Sequence, residues 1–353
     1  TASSLLYSEL FGSVDNQIKR NTELVVDGGR LFSGISAAML VTDDASEQRF
    51  RRQANKTDYS QVAFLAKDVS TSVAMSPVSF IASRGFKPSA APRPLLGLAA
   101  PVGLGDQKIG TDGRLTIGSC RVDAARFAGT INRLSPIAAT EISEISAALG
   151  LSGAPALVSG ARFSDTELQR LGSEGGELAN YQVLHFATHG VTEGLFDCDD
   201  FPAGLLTSFG GTGESDLLLS YAEIAGLRLN TNLVVMSACQ TASQVGEGTQ
   251  LRAGEARPGD TLDGLVRSFF AAGSRAVMAT YWETSNAGQS EVFMSAFYEA
   301  ARDRSIVAAT NQAQRTMLND PSTSHPFYWA GFFVVGQTSN QMLSGRAASV
   351  AVR

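Results

Sequence analysis

The chain has few of the residues that most often carry chemistry. Among 353 residues there are three cysteines, three histidines and two tryptophans. The cysteines (Cys120, Cys198, Cys239) are odd in number and lack framework spacing. That argues against a disulfide scaffold and for a reducing, cytoplasmic compartment. The histidines (His185, His189, His325) and cysteines form no CxxC or HExxH pair, so no metal site is expected. No apolar run of about eighteen residues occurs, so no membrane span is expected. No basic-then-apolar leader is seen either. The chain starts at Thr1 without a methionine, which fits an excised or processed piece. Basic charge is scarce as well: 28 Lys and Arg against 34 Asp and Glu leave a formal net charge of −6. The one close group, Arg49, Arg51 and Arg52, lies in a polar stretch, so no nucleic-acid partner is expected. No strand is followed by GxxxxGK[ST] or GxGxxG, which disfavours a nucleotide-binding domain, and no cofactor is expected.

What is present is apolar. Hydrophobic residues make up 44% and charged residues 18%, a composition that buries a core and does not stay disordered. From about Pro94 onward, strand and helix patterns alternate. Leu95–Ala100, Ala156–Val158, Tyr181–Thr188, Asn232–Ala238, Arg275–Tyr281 and Phe332–Val335 read as buried strands. Pro136–Leu149, a helix capped by Ser164 with a box to Glu167, Thr261–Ala272, Ser290–Ala301 and Ser305–Leu318 read as helices. Strands joined by helices imply a mostly parallel sheet covered on both faces, an α/β fold. Asp112-Gly113 between Lys108-Ile109 and Leu115–Ile117 signals a hairpin. Thr241–Asp260 is a long polar loop, of the kind that is usually functional or disordered. Residues 1–92 are expected as an N-terminal packing or docking lobe, and 93–353 as the catalytic-type domain. In the lobe, Ser3–Asn16 reads as a helix, and Leu24–Val26 and Arg30–Phe32 as a hairpin around Asp27-Gly-Gly29. Val62–Leu65 and Val73–Met75 are weaker strands.

Two of the scarce residues stand directly after such strands. His189, followed by Gly190, closes one, and Cys239 closes another. Parallel strands present their carboxyl ends to the crevice where ligands bind. A thiol and an imidazole placed there are a nucleophile and its base. The N–H groups of Gly190 and Cys239 are candidates for holding an oxyanion. The plain alternative is that Cys239 is a small buried hydrophobe and His189 a hydrogen-bonded loop histidine. His185, four residues before His189, reads as a core histidine, and His325, before Pro326, as a turn residue. Cys198 sits among Asp197, Asp199 and Asp200, which disfavour a thiolate, and Cys120 looks inert. Trp282 is a candidate for the substrate pocket; Trp329 reads as core.

Four segments in order resemble the CHAT domain, a branch of the caspase-like cysteine peptidases related to separase. They are Leu184-His-Phe-Ala-Thr-His-Gly190, Leu229-Asn-Thr-Asn-Leu-Val-Val-Met-Ser-Ala-Cys-Gln-Thr241, the stretch Leu265 to Val277, and His325-Pro-Phe-Tyr-Trp-Ala-Gly-Phe332. Asp216–Ser220 adds to the likeness, and fainter similarity runs through Asp27–Leu40 and Phe64–Phe80. The fifty positions from His189 to Cys239 agree with caspase spacing. The resemblance implies a caspase-like three-layer α/β/α sandwich, with His189 as the catalytic histidine and Cys239 as the nucleophile. It implies a cysteine endopeptidase acting on a protein or peptide substrate in bacterial signalling or defence. A tetratricopeptide-type sensor region is the implied regulatory partner.

Departures concern specificity. Glu283-Thr-Ser-Asn286 replaces the family's Pro-Val-Asp type segment, and the loop after Cys239 is longer than usual. Basic-specific relatives place an acidic residue near the nucleophile; here Ser237 stands two residues before Cys239. Asp263, Asp260 and Glu247 are the carboxylates that stand in for it in sequence terms, each more often a solvated loop or helix-start charge, and Glu283 joins Trp282, Asp263 and Ser237 as a substrate-pocket candidate. The 241–260 loop is expected to be mobile or cleavable and to gate the groove. The competing function is a catalytically silent CHAT-like binding or signalling module.

Overall fold

Seven consecutive buried residues, Tyr181–Ala187, give the central strand its character: neither face of it meets water. A strand of that kind must lie between two helical layers. The structure, a computed structural model, describes residues 2–27, 32, 34–102, 112–131, 139–191, 193, 196, 198, 200–209, 215–237, 258–282 and 288–345, with the backbone alone for 258–263. In chain order the strands are β1 (Glu23–Asp27), β2 (Ser70–Ala74), β3 (Arg93–Ala99), β4 (Arg114–Ile117), β5 (Cys120–Asp123), β6 (Ala156–Ser159) and β7 (Tyr181–Ala187). There follow β8 (Gly190–Val191), β9 (Gly204–Leu206), β10 (Leu218–Ser220), β11 (Leu233–Met236), β12 (Ala276–Thr280) and β13 (Phe332–Gly336).

Among the described residues, eight strands form one sheet in the order β1-β2-β13-β12-β11-β7-β3-β6. β6, β3, β7, β11 and β12 are parallel to one another. β13 runs antiparallel to β12, and β2 and β1 follow the direction of β13. Alternation along β7 sends Val183 and Ala187 to one face and Leu184 and Phe186 to the other. The first face is covered by Ile142 and Ile145 of the helix Thr140–Ala148, Phe293 and Phe297 of Gln289–Ala300, and Met317 of Ile306–Asn319. The second is covered by Leu168 of Asp165–Leu171, Ile224 of Tyr221–Gly226, and Leu265 and Phe269 of Pro258–Ala272. This is the three-layer α/β/α sandwich with a mostly parallel sheet that the alternating pattern implies.

Several local expectations are corrected. The hairpin is β4–β5, and it turns at Gly118-Ser119, with Ile117 opposite Cys120. Gly118 takes the positive φ (56°) that a two-residue turn demands. Asp112-Gly113 instead precedes β4, and residues 108–109 lie outside the described residues. β1 pairs in parallel with β2, so these two strands from the first 92 residues form one edge of the main sheet; residues 28–31, on which the expected hairpin around Asp27-Gly-Gly29 depends, lie outside the described residues. The 62–65 segment is a loop with a single bridge, Val41 to Phe64. Ser164 caps its helix by accepting from Glu167 N at 3.2 Å, but the Glu167 carboxylate turns to Arg170 (2.7 Å) and does not complete the box. Complete reciprocal boxes are made by Ser220 with Glu223 and by Ser76 with Ser79.

The cysteines bring the largest correction. Cys120 and Cys198 form a disulfide, Cα–Cα 6.2 Å, across 78 positions. It joins the first residue of β5 to the segment beyond β8, within an apolar cluster that includes Phe127, Phe201 and Val191. The odd number of cysteines in the sequence hid the pair. Disulfides persist in oxidising surroundings, which weighs against the reducing compartment expected from composition.

Candidate active site

β7 and β11 are neighbours in the sheet, with His185 opposite Val235 and Phe186 opposite Met236. Beyond the last pair, Ser237 N donates to Phe186 O at 2.9 Å, so the two backbones still run together where the strands end. The chain leaving β7 toward His189 and the chain leaving β11 toward residue 239 therefore emerge from one sheet edge, side by side. That edge is the carboxyl end of five parallel strands, where sheets of this kind take their ligands. Cys239 itself lies outside the described residues, as do Glu247 and Glu283; Asp260 and Asp263 are described in the backbone alone. Most of the 241–260 loop, 241–257, lies outside the described residues too, and its last three positions open the helix Pro258–Ala272, three residues earlier than expected.

His189 is 8% exposed. Its carbonyl accepts from Leu206 N at 2.8 Å, and the hydroxyl of the preceding Thr188 donates to Leu206 O at 2.6 Å. These bonds fix the backbone that carries the imidazole. They also fix the orientation of the next residue. In an antiparallel ladder, hydrogen-bonded and non-hydrogen-bonded pairs alternate. Leu206 bonds to His189, so the following pair, Gly190 and Leu205, is non-hydrogen-bonded and the Gly190 N–H points away from β9. β8 is the outer strand of its three-stranded sheet, so no further strand of that sheet takes that N–H. Gly190 is extended and absent from the left-handed region, so what it offers is closeness of approach to the backbone and not an unusual turn.

Beneath this edge lies a polar network that sequence reasoning did not assemble. His185, fully buried, contacts Glu141 Oε1 through Nε2 (3.0 Å) and the Tyr298 hydroxyl through Nδ1 (2.9 Å). Glu141, in the first turn of Thr140–Ala148, also accepts a hydrogen bond from Ser237. Burial pushes the Glu141 carboxyl up, but the hydrogen bond and charge of His185, with the Ser237 bond, hold it below its ordinary value. Burial, and then the Glu141 charge, raise the Tyr298 hydroxyl well above its usual range. His185 is thus the hydrogen-bonded core histidine expected, but the position two before Cys239 is not without a carboxylate nearby: Glu141 supplies one from a helix, through Ser237. Nothing in the sequence singled it out from the other polar positions of the expected helix Pro136–Leu149.

The tryptophans behave differently from one another. Trp329 is buried, and its Nε1 donates to Ser324 O at 3.0 Å. Trp282, just past the end of β12, is half-buried; its Nε1 donates to Phe327 O at 3.0 Å, and its ring lies over Gly331, where a Cβ would approach within 3.1 Å. The ring is anchored at the crevice edge. His325 caps the short helix Pro326–Trp329, its Nδ1 accepting from Phe327 N at 3.1 Å. Among the described residues, no group of three His, Cys, Asp or Glu side chains is placed to hold a metal ion, and no helix is long and apolar enough to cross a membrane.

The family model for the CHAT domain matches residues 1–337. The chain belongs to the CHAT domain family. It is 34% identical over 122 residues to tetratricopeptide repeat protein 28 of Mus musculus, covering 34% of this chain. It is 28% identical over 192 residues to tetratricopeptide repeat protein 28 of Homo sapiens, covering 45% of this chain. The matched parts amount to 4% and 7% of those proteins' own lengths. Among solved structures, it is similar to the Arg-specific cysteine proteinase gingipain R at 10% identity and a TM-score of 0.48, over 93% of this chain and 68% of that one. It is also similar to the complex of Porphyromonas gingivalis RgpB pro- and mature domains at 11% identity and a TM-score of 0.48, over 96% and 72%.

Proposed function

We propose that this CHAT domain is a cysteine endopeptidase with Cys239 as nucleophile and His189 as its base. The observation that carries the proposal is the parallel pairing of β7 with β11, which brings the chain at His189 and the chain at Ser237 out of one sheet edge. Family membership supports it. In this scheme the His189 imidazole takes the thiol proton, and the thiolate attacks the scissile carbonyl. The N–H groups of Gly190 and Cys239 hold the oxyanion. His189 returns the proton to the leaving amine, and water, deprotonated in turn by His189, hydrolyses the thioester and frees Cys239.

The substrate is a protein or peptide segment lying along the carboxyl ends of the strands. Trp282, Ser237 with Glu141, and Asp263 border the pocket for the residue before the cut. Residues 93–353 supply the chemistry, and residues 1–92 serve packing and docking. A sensor region of tetratricopeptide type controls the activity, a reading supported by the likeness to tetratricopeptide repeat protein 28. The test is a diverse peptide library incubated with the wild-type chain, Cys239→Ala and His189→Ala, with cuts read by mass spectrometry. Cleavage by the wild type that vanishes in both variants is expected. Cleavage that persists in Cys239→Ala overturns the assignment.

A further inference from the structure

The sheet edge remote from His189 carries a cavity that the peptidase scheme does not use. There the helix Pro77–Ser83 stands over the end of β2, the end of β13 and the start of β12. The cavity between them is about 460 Å³, within the range of small-molecule sites. Its walls are apolar: Met75, Phe80, Phe270 and Val335 face it, and Phe86, 52% exposed, stands at the mouth. Two cations complete the lining, Lys87 and Arg275.

The partners of Arg275 are all neutral. Its guanidinium donates to Lys87 O, to Thr231 O (3.1 Å) and to Asn230 Oδ1 (3.0 Å). That accounts for three of its five N–H groups. Among the described residues no carboxylate pairs with Arg275 or Lys87. Burial alone lowers the Arg275 pKa, as it does for a cation without a counter-charge. An apolar chamber with uncompensated positive charge in its wall is complementary to a molecule with a hydrocarbon body and one anionic end.

We propose that this cavity binds an apolar monocarboxylate, its hydrocarbon part among Phe80, Phe270 and Val335 and its carboxylate at Lys87 and Arg275. The site stands at the opposite end of the strands from His189, so it is separate from the proposed catalysis, and binding does not require Cys239. The experiment is isothermal titration of the full chain with dodecanoate below its micelle concentration, alongside dodecan-1-ol and dodecyltrimethylammonium. Dodecanoate is expected to bind at one site, about tenfold more tightly than the alcohol, since a charge-assisted bond is at stake. The ammonium should not bind.

Lys87→Gln, an exposed change, should weaken dodecanoate about five- to tenfold with unaltered melting. Ala82→Trp, which fills the cavity mouth from an exposed helix position, should abolish binding while circular dichroism shows a folded chain. Cys239→Ala should bind as the wild type does. Equal affinity for acid and alcohol, binding that survives Ala82→Trp, binding of the ammonium, or no binding of dodecanoate overturns the proposal.

Discussion

Reduction of the Cys120–Cys198 disulfide should lower the melting temperature by about 6 °C, using about 2.1 cal/mol/K of unfolding entropy per residue. The bond closes a loop of 78 positions. Its removal returns about 15 cal/mol/K of chain entropy to the unfolded state, or about 4.5 kcal/mol at 25 °C. Over 353 residues the melting entropy comes to about 740 cal/mol/K, and the ratio gives the shift.

The disulfide anchors β5 to the stretch that follows β8, so the loosening should begin in the β8–β10 sheet, next to His189. Calorimetry with and without a phosphine reductant measures the shift. Hydrogen exchange across residues 190–206 locates it. Thiol titration in denaturant should count one free thiol before reduction and three after, the chain having three cysteines. A Cys120→Ser, Cys198→Ser chain should melt like the reduced protein and ignore reductant. Three free thiols in protein handled without reductant, or a double variant melting within about 1 °C of the oxidised wild type, would refute the reasoning.

Gly97 lies in the middle of β3, where a Cβ would come within 2.4 Å of Ile142 Cγ2; Gly97→Ala should destabilise by about 1–3 kcal/mol in denaturant titration, and Ile142→Ala in the same chain should recover part of it. Glu141→Gln should cost about 1–3 kcal/mol, because it removes the buried carboxylate that is hydrogen-bonded to His185 and Ser237. The lowered Glu141 pKa sets its pH dependence: the stability it contributes is full above the unfolded carboxylate value of about 4.3, and is lost as pH falls through the lower folded value. The gap between wild type and Glu141→Gln, measured by urea titration from pH 7 down to about 3, should therefore shrink with acid; a gap that stays constant counts against a carboxylate stabilised in the folded chain.

The strands legible in the sequence were those buried on both faces. β3, β7, β11, β12 and β13 are short apolar runs whose identity depends on burial alone. β1 was visible as a strand, but its partner was not: parallel pairing with β2 links positions 47 apart, Glu23 with Ser70, and nothing local encodes that choice. At the hairpin, Asp112-Gly113 is the stronger turn signal, yet Gly118-Ser119 turns the chain because Leu115, Ile117, Cys120 and Val122 then share one buried face. The placement of His189 after a β7 that neighbours β11 followed from strand order. Glu141 was hidden because a carboxylate early in a helix is ordinarily a solvated charge, and only the fold brings it to Ser237.

β13 has a partner on each side: β12, from shortly before it in the chain, and β2, from far upstream. A ribosome releases β1 and β2 early, yet the strand that joins them to the rest appears only after residue 332. Until then the upstream pair has an open ladder, and the half of the sheet that holds His189 has an open flank at β12. The sheet is therefore completed by a zipper-like insertion of β13, and any chaperone or premature stop acting before that moment meets two unfinished β-surfaces in place of one domain.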